Sequence, residues 1–316
     1  MSPAGQTSPT GPTPELLIDL ATRFYLDGQS QIEISRQLGL DPSTVSRYLR
    51  RAREDGIVRI EIQAPHRRVD ELGQELASQF DLKRAMVVAS DQDMAPAGAD
   101  FVSTLLRNHM RLGLSWGRML SQVVHQLPQS AVSGLDIALL HGGVGNAGPA
   151  IQGHELARHV ASLYRGSVVT YLHAPLLVDS PEIKDAMLQD GSIKGSLRAA
   201  ADRELALVGI GTLDPDAPLV RYGHLSPSDR DRLLAAGAVG DVSTHFVTAE
   251  GEPVPVLDDR LIAVDWRQLE KIPTVVALAS GRSKTHAIIG ALRSKLVDIL
   301  VTDEETARLV LGAATP

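Results

Sequence analysis

Basic and hydroxyl side chains share one side of a helix that the sequence predicts from Pro42 onward. On a helical period, Val45, Tyr48 and Leu49 form an inner stripe, which leaves the other side free to meet a partner. Arginine can pair with guanine or phosphate, and hydroxyls can contact bases and phosphates. We therefore predict contacts with double-stranded DNA from this helix and from the start of the helix before it. The predicted contact residues are Ser30, Gln31, Ser43, Thr44, Ser46, Arg47, Arg50 and Arg51.

The capping residues around this helix predict a helix-turn-helix over residues 30–53. Ser30 and Glu33 have the spacing of a capping box, which starts the first helix. Gly39 suits a left-handed residue at the end of that helix, and Asp41, followed by proline, suits the start of the second. An ordinary surface hairpin of two helices is the alternative. It accounts for the arginines but not for the positions of the caps and the glycine.

Three glycine-rich loops, at 113–118, 141–145 and 280–284, are candidates for a ligand site farther along the chain, although such a loop taken alone is more often a simple turn. The first precedes an amphipathic helix predicted over 116–127, whose amino end can hold an anion. The other two follow apolar strands, at the edge where open α/β sheets bind ligands. Asp241 adds a carboxylate that can accept from two vicinal hydroxyl groups of a ligand. The predicted ligand-binding residues are Gly113, Ser115, Trp116, Gly117, Arg118, His141, Gly142, Gly143, Asp241, Gly281 and Lys284.

Several of these residues also have a purely structural interpretation. Trp116 can fill core instead of stacking on a sugar, and Arg118 can point to solvent. His141 can be a structural histidine at a strand end, and Asp241 can satisfy the amides of its own loop. Both interpretations stay open for each residue.

Metal and cofactor chemistry is not indicated. Adjacent Asp258 and Asp259 do not predict an acid and base pair, because neighbours in an extended segment point to opposite faces. Five histidines lack compact metal-ligand spacing, namely His154, His159, His173, His224 and His245. The chain has no cysteine, which excludes disulfides, thiolate metal sites and cysteine catalysis. We expect no metal and no cofactor.

The composition is that of a globular protein with locally concentrated positive charge. The 316 residues carry a formal net charge of -7, and 43% are hydrophobic, so the chain can form two domains with a sizeable core. Four arginines lie between Asp41 and Glu54, a stretch without acidic residues. This distribution predicts a small DNA-binding head on an acidic body. The absence of a recognisable membrane span or secretory signal predicts a cytoplasmic protein.

The order of predicted elements indicates four segments. They are a disordered tail over 1–14, a helix-turn-helix domain over 15–64, a connector helix within 65–84, and an effector-binding and oligomerisation domain over 85–316. In the second segment we predict a third helix near 15–27 and a strand, or small wing, over 57–62.

The last segment alternates short apolar strands with amphipathic helices, which predicts an α/β fold with a doubly wound, Rossmann-like sheet. Strands are predicted at 85–90, 135–143, 167–175, 205–211, 260–266, 274–280 and 298–303. Helices are predicted at 116–127, 152–164, 226–236, 284–294 and 303–311.

A series of short phrases occurs in one order after residue 14. They are IVRIEI at 57–62, GLSWGR at 113–118, HGGVG at 141–145, LHAPLLVDSPE at 172–182, LVGIGTL at 207–213, GAVGD at 237–241, LDDR at 257–260 and LVTDEETAR at 300–308. By these phrases the chain resembles the SorC family of bacterial transcriptional regulators, the sugar-binding regulators near the DeoR type. The resemblance implies a homo-oligomer, dimer or tetramer, that binds operator DNA. It also implies a C-terminal domain like those of sugar-phosphate isomerases and deaminases, with a sugar or sugar phosphate as effector.

The resemblance further implies roles for two of the loops. The loop at 113–118 matches the phosphate-binding loop of the family, and Lys284 resembles the family lysine that pairs with the effector phosphate. Arg282 and Ser283 stand where many relatives have a second glycine or an acidic residue, and His141 lies near a position where some relatives have arginine. These departures predict a somewhat different ligand that keeps a cationic anchor.

Together these features predict a transcriptional regulator of carbohydrate metabolism in which a bound effector changes how the heads bind a pseudo-palindromic operator. Repression relieved by an inducer is the default expectation, and activation stays open. One alternative is a sugar-phosphate isomerase or deaminase with a DNA-binding head, but no sequence motif sets the general base it needs. Another is a DNA-associated scaffold without a ligand, which leaves the three loops without a role.

Overall fold

A computed structural model describes residues 12–58, 68–144 and 152–314. The chain divides into two compact units, Met1–Pro65 and His66–Pro316. The predicted tail lies outside the described residues as far as residue 11, and so do residues 59–62 of the predicted wing. No helix in the described part of the chain is long and apolar enough to cross a membrane.

The first unit contains a three-helix core that its capping residues define. The helices are α1 (Pro14–Ala21), α2 (Gln31–Leu38) and α3 (Pro42–Glu54). Ser30 and Glu33 form the predicted capping box at the start of α2, and Gly39 ends that helix in the left-handed conformation with a φ of 63°. The three helices bury Leu20, Ile34, Val45 and Leu49 against one another.

Three details of this unit differ from the sequence-based expectation. The tail was expected to run to residue 14, but α1 already begins at Pro14, where the Thr13 hydroxyl accepts from the Leu16 amide. The single helix predicted near 15–27 is an α-helix that continues into a π-helical turn, Thr22–Leu26. Asp41 occupies the N-cap of α3 with extended backbone, yet its carboxylate makes no capping hydrogen bond.

The second unit is built on a parallel sheet of seven strands. In chain order the strands are β1 (Arg84–Val88), β2 (Arg111–Leu114), β3 (Asp136–Leu139), β4 (Val168–Thr170), β5 (Leu205–Gly211), β6 (Gly240–Val242), β7 (His245–Val247), β8 (Thr274–Leu278) and β9 (Ile299–Asp303). The parallel order is β1-β9-β8-β5-β2-β3-β4, and β6 extends β5 antiparallel before turning into β7. The predicted doubly wound α/β fold is confirmed.

Helices cover both faces of this sheet. They are α4 (Asp70–Phe80), α5 (Met94–Leu105), α6 (Arg118–Val124), α7 (Gly153–Leu163), α8 (Pro181–Gln189), α9 (Gly191–Ala201), α10 (Pro218–Arg221), α11 (Pro227–Ala235), α12 (Trp266–Glu270), α13 (Thr285–Arg293) and α14 (Glu304–Ala314). Strand side chains alternate between the faces, so Leu205 and Leu207 pack with α5, α6 and α7, while Ala206 and Val208 pack with α4, α13 and α14. Each face of the sheet is therefore covered by a buried apolar layer.

The structure corrects several predicted elements of the second unit. Gly113 was placed in a loop but lies in β2, whose four residues are too short to show a strand pattern. The strand predicted at 260–266 is reduced to isolated bridges from Leu261 to Leu177 and from Ala263 to His141. The helix predicted over 116–127 is shorter, and the sequence did not predict α5, α8, α9, β6 or β7. The predicted connector helix begins at Asp70.

Helix α13 packs closely against the β6–β7 hairpin at Gly290, and this contact predicts a pair of opposite stability changes. A Cβ at Gly290 would lie 2.4 Å from the Thr248 carbonyl oxygen, whereas a Cβ at Gly195 on α9 would meet nothing within 4 Å. Gly290→Ala should destabilise the protein by about 1–3 kcal/mol through overpacking. Gly195→Ala, the matched control, should stabilise it by about 0.5–1 kcal/mol because alanine favours the helix. Urea unfolding followed by circular dichroism measures both, and equal stabilities would contradict the packing described for Gly290.

Candidate functional site

The candidate ligand pocket lies where the chain reverses its direction across the sheet. From β2 the chain adds β3 and β4 on one side, and then β5 pairs with β2 on the other side. The carboxyl ends of β2 and β5 are therefore the topological switch point of the sheet, where open α/β folds place their ligands. The loops that follow β2, β5 and β8 meet at this edge.

The pocket encloses about 830 Å³ of space not filled by atoms, part of it open to solvent. Six of the predicted ligand residues line it, namely Ser115, Trp116, Gly117, Arg118, Asp241 and Lys284. Trp116 and Leu219 line the pocket and pack with Leu213 in one apolar cluster. The Trp116 indole lies edge-on to His224 at 6.2 Å between ring centroids. The walls thus combine an apolar surface with cations, carboxylates and hydroxyls.

Asp241 is carried into the pocket by the short hairpin of β6 and β7. Its carboxylate accepts from the Thr244 amide at 2.8 Å, as a loop aspartate would. The turn of the hairpin places Ser243 and Thr244 at φ values of 48° and 76°, which are strained for residues other than glycine. Burial raises the pKa of Asp241 to about 6, while the Thr244 amide and Lys284 oppose that rise.

Lys284 brings a half-buried cation to the same strand end. Its Nζ donates to the Ile210 carbonyl of β5 at 2.7 Å. Burial lowers the pKa of Lys284, and the charge of Asp241 acts in the opposite direction. The lysine and the carboxylate therefore interact electrostatically across the pocket, and each is partly stripped of water.

The loop that carries Lys284 is fixed by three contacts to other parts of the second unit. The Ser280 hydroxyl donates to Asp91 at 2.6 Å, and the Gly281 amide donates to the Thr306 hydroxyl at 2.8 Å. Arg282 pairs with Glu305 at 2.8 Å between exposed side chains. Arg282 therefore points towards α14. Gly281 has a φ of 111°, a backbone conformation that favours glycine at this point of the loop.

The predicted ligand residues outside this pocket have other surroundings. Gly113 faces Leu140 and Arg203 within the sheet. Gly142 lies against the Pro175 backbone, where a Cβ would be 2.3 Å from the carbonyl oxygen, and Gly143 lines a neighbouring cleft. Gly142 therefore permits a close backbone approach, and the structure does not bring any of these three glycines to the pocket that contains Lys284.

His141 is buried behind Ser115. Its Nε2 lies 3.0 Å from the Ser115 Oγ, and its Nδ1 lies 2.9 Å from the Gly142 carbonyl oxygen. Burial lowers the pKa of His141 to about 4. His141 therefore contacts Ser115, which lines the pocket, but His141 itself does not line it.

Polar residues that the sequence analysis missed complete the lining. They are Thr212, Asp214, Asp216, Ser243 and Ser283. Asp214 and Asp216 are exposed at the rim, on the segment that follows β5. A hydroxyl and two carboxylates directly after an apolar strand were a usable signal for this part of the site. In the described part of the chain, no group of three or more histidine, aspartate or glutamate side chains is arranged to hold a metal ion.

The candidate DNA-contact surface lies on α3 in the first unit. Val45, Leu49 and Ala52 are buried on its inner side. The opposite side exposes Ser43, Ser46, Arg47, Arg50 and Arg51, while Thr44 is half-buried. Helix α3 thus presents three arginines and two serines on its exposed side.

Some predicted DNA contacts already have partners within the head. Arg51 pairs with Asp55 at 2.8 Å, and the Arg47 guanidinium lies 5.7 Å from the centre of the Tyr48 ring and 3.5 Å from the Thr44 hydroxyl. Ser30 is committed to the capping box, where its hydroxyl donates to the Glu33 carboxylate at 2.8 Å. Gln31 is half-buried at the start of α2.

Comparison with known proteins connects both surfaces to one family. A model of a sugar-binding domain family matches residues 65–312, and a winged helix-turn-helix DNA-binding model matches residues 27–59. The transcriptional regulator LsrR of Klebsiella pneumoniae is 31% identical over 312 residues, which cover 95% of this chain and 94% of that protein. The deoxyribonucleoside regulator of Bacillus subtilis is 28% identical over 307 residues, covering 94% and 97% of the two chains.

The fold comparison extends over nearly the whole chain. The crystal structure of the full-length sorbitol operon regulator SorC from Klebsiella pneumoniae matches with a TM-score of 0.75 at 30% identity. The match covers 96% of this chain and 100% of that one. Because the similarity includes the helix-turn-helix, the sugar-binding domain and their order, the chain belongs to the SorC family of transcriptional regulators.

Proposed function

We propose that this regulator binds operator DNA through α3 and changes its DNA affinity when a sugar or sugar phosphate binds at the end of β2 and β5. The observation that carries the proposal is the pocket at the switch point, which holds both Arg118 and Lys284 and the carboxylate of Asp241. Cations suit a phosphate group, and carboxylates suit vicinal hydroxyls. Relatives named for a sorbitol operon and for deoxyribonucleosides support a ligand of this class.

The ligand is bound by two chemically different sides of the pocket. Lys284 and Arg118 hold the phosphate, together with the amides at the start of α6 after Gly117. Asp241 accepts from sugar hydroxyls, and Asp214 and Asp216 contact the exposed end of the ligand. Trp116 supplies an apolar surface for the sugar ring. No catalytic residue and no cofactor are assigned.

The regulator acts as a homo-oligomer, dimer or tetramer, in which two heads contact the two half-sites of a pseudo-palindrome. A ligand alters DNA affinity only if it binds one conformation of the assembly more tightly than another. We propose that the effector favours the conformation with lower DNA affinity, so that the protein represses transcription until the inducer binds. The reverse sign would make the protein an activator with the same two surfaces.

An enzyme is the second candidate function, and one observation favours it. Asp241 has a pKa raised to about 6 and shares the pocket with a half-buried lysine, which is the environment of a general base that works near neutral pH. A sugar-phosphate isomerase or deaminase would use such a carboxylate on the carbon atoms of its substrate. Turnover of pentose or hexose phosphates by the purified protein, lost in Asp241→Asn, would establish this activity.

Ligand and DNA binding can be tested on the full chain in one design. Thermal denaturation with pentose and hexose phosphates, the free sugars and inorganic phosphate identifies compounds that raise the melting temperature. DNA recovered by repeated selection from a random library then supplies a labelled operator for fluorescence anisotropy. We expect at least one compound both to stabilise the protein and to change operator affinity. Stabilisation without any change in DNA affinity would contradict regulation by that ligand.

Arg47→Ala should weaken operator binding about tenfold or more, because an arginine contact to a base edge contributes roughly 1–3 kcal/mol. Arg53→Ala is the matched control, since it removes the same charge from the last turn of α3 outside the predicted contact set. Fluorescence anisotropy measures both variants, and the ligand-induced thermal shift should be retained in each. Equal losses in the two variants would show that Arg47 contributes only its charge.

Lys284→Ala should abolish the response to a phosphorylated ligand while DNA binding without ligand persists. The reason is that Lys284 is a half-buried cation of the pocket, whose interaction with an anion is less screened by water than that of an exposed lysine. Lys271→Ala, which removes an exposed lysine, serves as control. The ligand concentration that half-releases labelled operator is the measurement. An unchanged dose response in Lys284→Ala would remove this lysine from the site.

Asp241→Asn should stabilise the ligand-free protein at neutral pH and reduce its ligand response. The pKa of Asp241 is raised on folding from 3.8 to about 6, so the folded state disfavours the ionised carboxylate. In the wild type, stability from the protonated form is complete below pH 3.8 and is lost as pH rises through about 6. The advantage of the asparagine variant should therefore grow from near zero at about pH 4 to at most about 3 kcal/mol at about pH 8.

Urea unfolding of both proteins across this pH range measures the difference. Other titrating groups are shared by the two proteins and largely cancel in the comparison. A variant advantage that does not depend on pH would contradict the raised pKa.

A further inference from the structure

The Ser115 hydroxyl is held in one orientation by a buried histidine. Ser115 follows β2 and lines the ligand pocket, and its Oγ lies 3.0 Å from Nε2 of His141. Only 1% of Ser115 and 3% of His141 are exposed, so water does not compete for this hydrogen bond. The Ser115 amide donates to the Leu207 carbonyl at 3.0 Å, which continues the pairing of β2 with β5 and fixes the serine backbone.

The histidine backbone is fixed as well. His141 forms an antiparallel bridge with Ala263, and the Gly142 amide donates to the Ile262 carbonyl at 2.9 Å. Just before His141, where β3 pairs with β2, the Leu140 amide donates to the Leu114 carbonyl at 3.0 Å. The serine and the histidine therefore extend from two adjacent strands whose register sets the distance between the side chains.

The other ring nitrogen decides which atom of the pair carries the hydrogen. Nδ1 of His141 lies 2.9 Å from the Gly142 carbonyl oxygen, and a carbonyl oxygen can only accept. Nδ1 must therefore carry a hydrogen. Burial lowers the pKa of His141 to about 4, so the ring is neutral near pH 7 and Nε2 presents a lone pair. It follows that Nε2 accepts and that the Ser115 hydroxyl donates.

We propose that Ser115 is a specificity-determining residue that accepts a hydrogen bond from a hydroxyl group of the ligand. This inference rests on the proposed function, in which the pocket binds a sugar or sugar phosphate. Because the hydroxyl hydrogen is committed to His141, the oxygen offers only lone pairs to a ligand. Lone pairs attract the hydrogen of a sugar hydroxyl and repel the oxygen of a phosphate.

This polarity gives the ligand a direction within the pocket. A serine in a phosphate-binding loop is expected to donate to the phosphate, whereas Ser115 is turned the other way by His141. The phosphate is therefore left to Arg118 and Lys284, and the hydroxyl-bearing part of the ligand faces Ser115 and Asp241. His141 acts through Ser115 as a positioning residue.

Ligand analogues test this polarity without any change to the protein. Thermal denaturation of the full chain first ranks a set of pentose and hexose phosphates and free sugars, and the tightest member becomes the probe. Titration calorimetry then compares the probe with its deoxy and deoxyfluoro analogues at each hydroxyl. At one position both replacements should weaken binding about tenfold or more, because neither hydrogen nor fluorine can donate. The fluoro analogue should bind no better than the deoxy analogue there.

A substitution links that ligand position to Ser115. Ser115→Ala should bind the probe and the deoxy analogue with equal affinity, because the acceptor has been removed. Ser162→Ala, which removes an exposed hydroxyl on α7, should keep the tenfold difference. A purely structural role for Ser115 would weaken both ligands alike and leave their ratio unchanged.

Two results would overturn the inference. One is a fluoro analogue that binds better than the deoxy analogue at every position, which shows that the protein donates to each hydroxyl. The other is an undiminished preference of Ser115→Ala for the probe over every deoxy analogue. If no sugar or sugar phosphate of the set binds the wild type, the proposed function itself fails, and this inference fails with it.

Discussion

The ligand pocket depends on the close approach of β6 to the end of β5. A Cβ at Gly211 would lie 2.1 Å from Oδ1 of Asp241, and a Cβ at Gly240 would lie 2.4 Å from the Gly211 carbonyl oxygen. Because these two positions have no side chain, the hairpin can pair with the strand end and carry Asp241 into the pocket. Lys284 meets the same strand end through the Ile210 carbonyl. The carboxylate of Asp241 and the cation of Lys284 thus both lie at the end of β5.

The price of this arrangement is charge held away from water in the ligand-free protein. Burial raises the pKa of Asp241 and lowers the pKa of Lys284, so it disfavours the charged form of each group. Each charge is therefore stabilised by a partner that can form hydrogen bonds or carries the opposite charge. A ligand that offers hydroxyls to the carboxylate and an anion to the lysine replaces the hydration that folding removed. Ligand affinity and the instability of the empty site therefore have the same physical origin.

Local sequence patterns predicted those parts of the structure that depend on neighbouring residues. The capping box of Ser30 and Glu33 and the left-handed Gly39 are set within one turn of a helix, and both were found as predicted. Strand β2 was missed because its four residues are too short to show a strand pattern by themselves, and its pairing partners, such as Leu205 opposite Leu112, are far away in the chain. The alternation of apolar strands and helices still identified the fold class.

The polar details of the site could not be predicted for the same reason. Ser115 and His141 are 26 residues apart, and only the register of β2 and β3 brings them together. The sequence singled out both side chains but could not show that the histidine fixes the direction of the serine hydroxyl. The position of Asp214 and Asp216 after an apolar strand was a usable signal, but the segment that carries them is irregular, so their place at the rim required the fold.

Regulation requires that ligand binding in one unit and DNA binding in the other be thermodynamically linked. Linkage is reciprocal, so a ligand that changes operator affinity by some factor must have its own affinity changed by the operator by the same factor. The most direct test is the effector affinity of the full chain, measured by calorimetry with and without saturating operator DNA. For a repressor relieved by its inducer, we predict weaker effector binding on DNA, by roughly 5- to 150-fold. Equal effector affinity with and without bound operator would contradict control of DNA binding by the pocket.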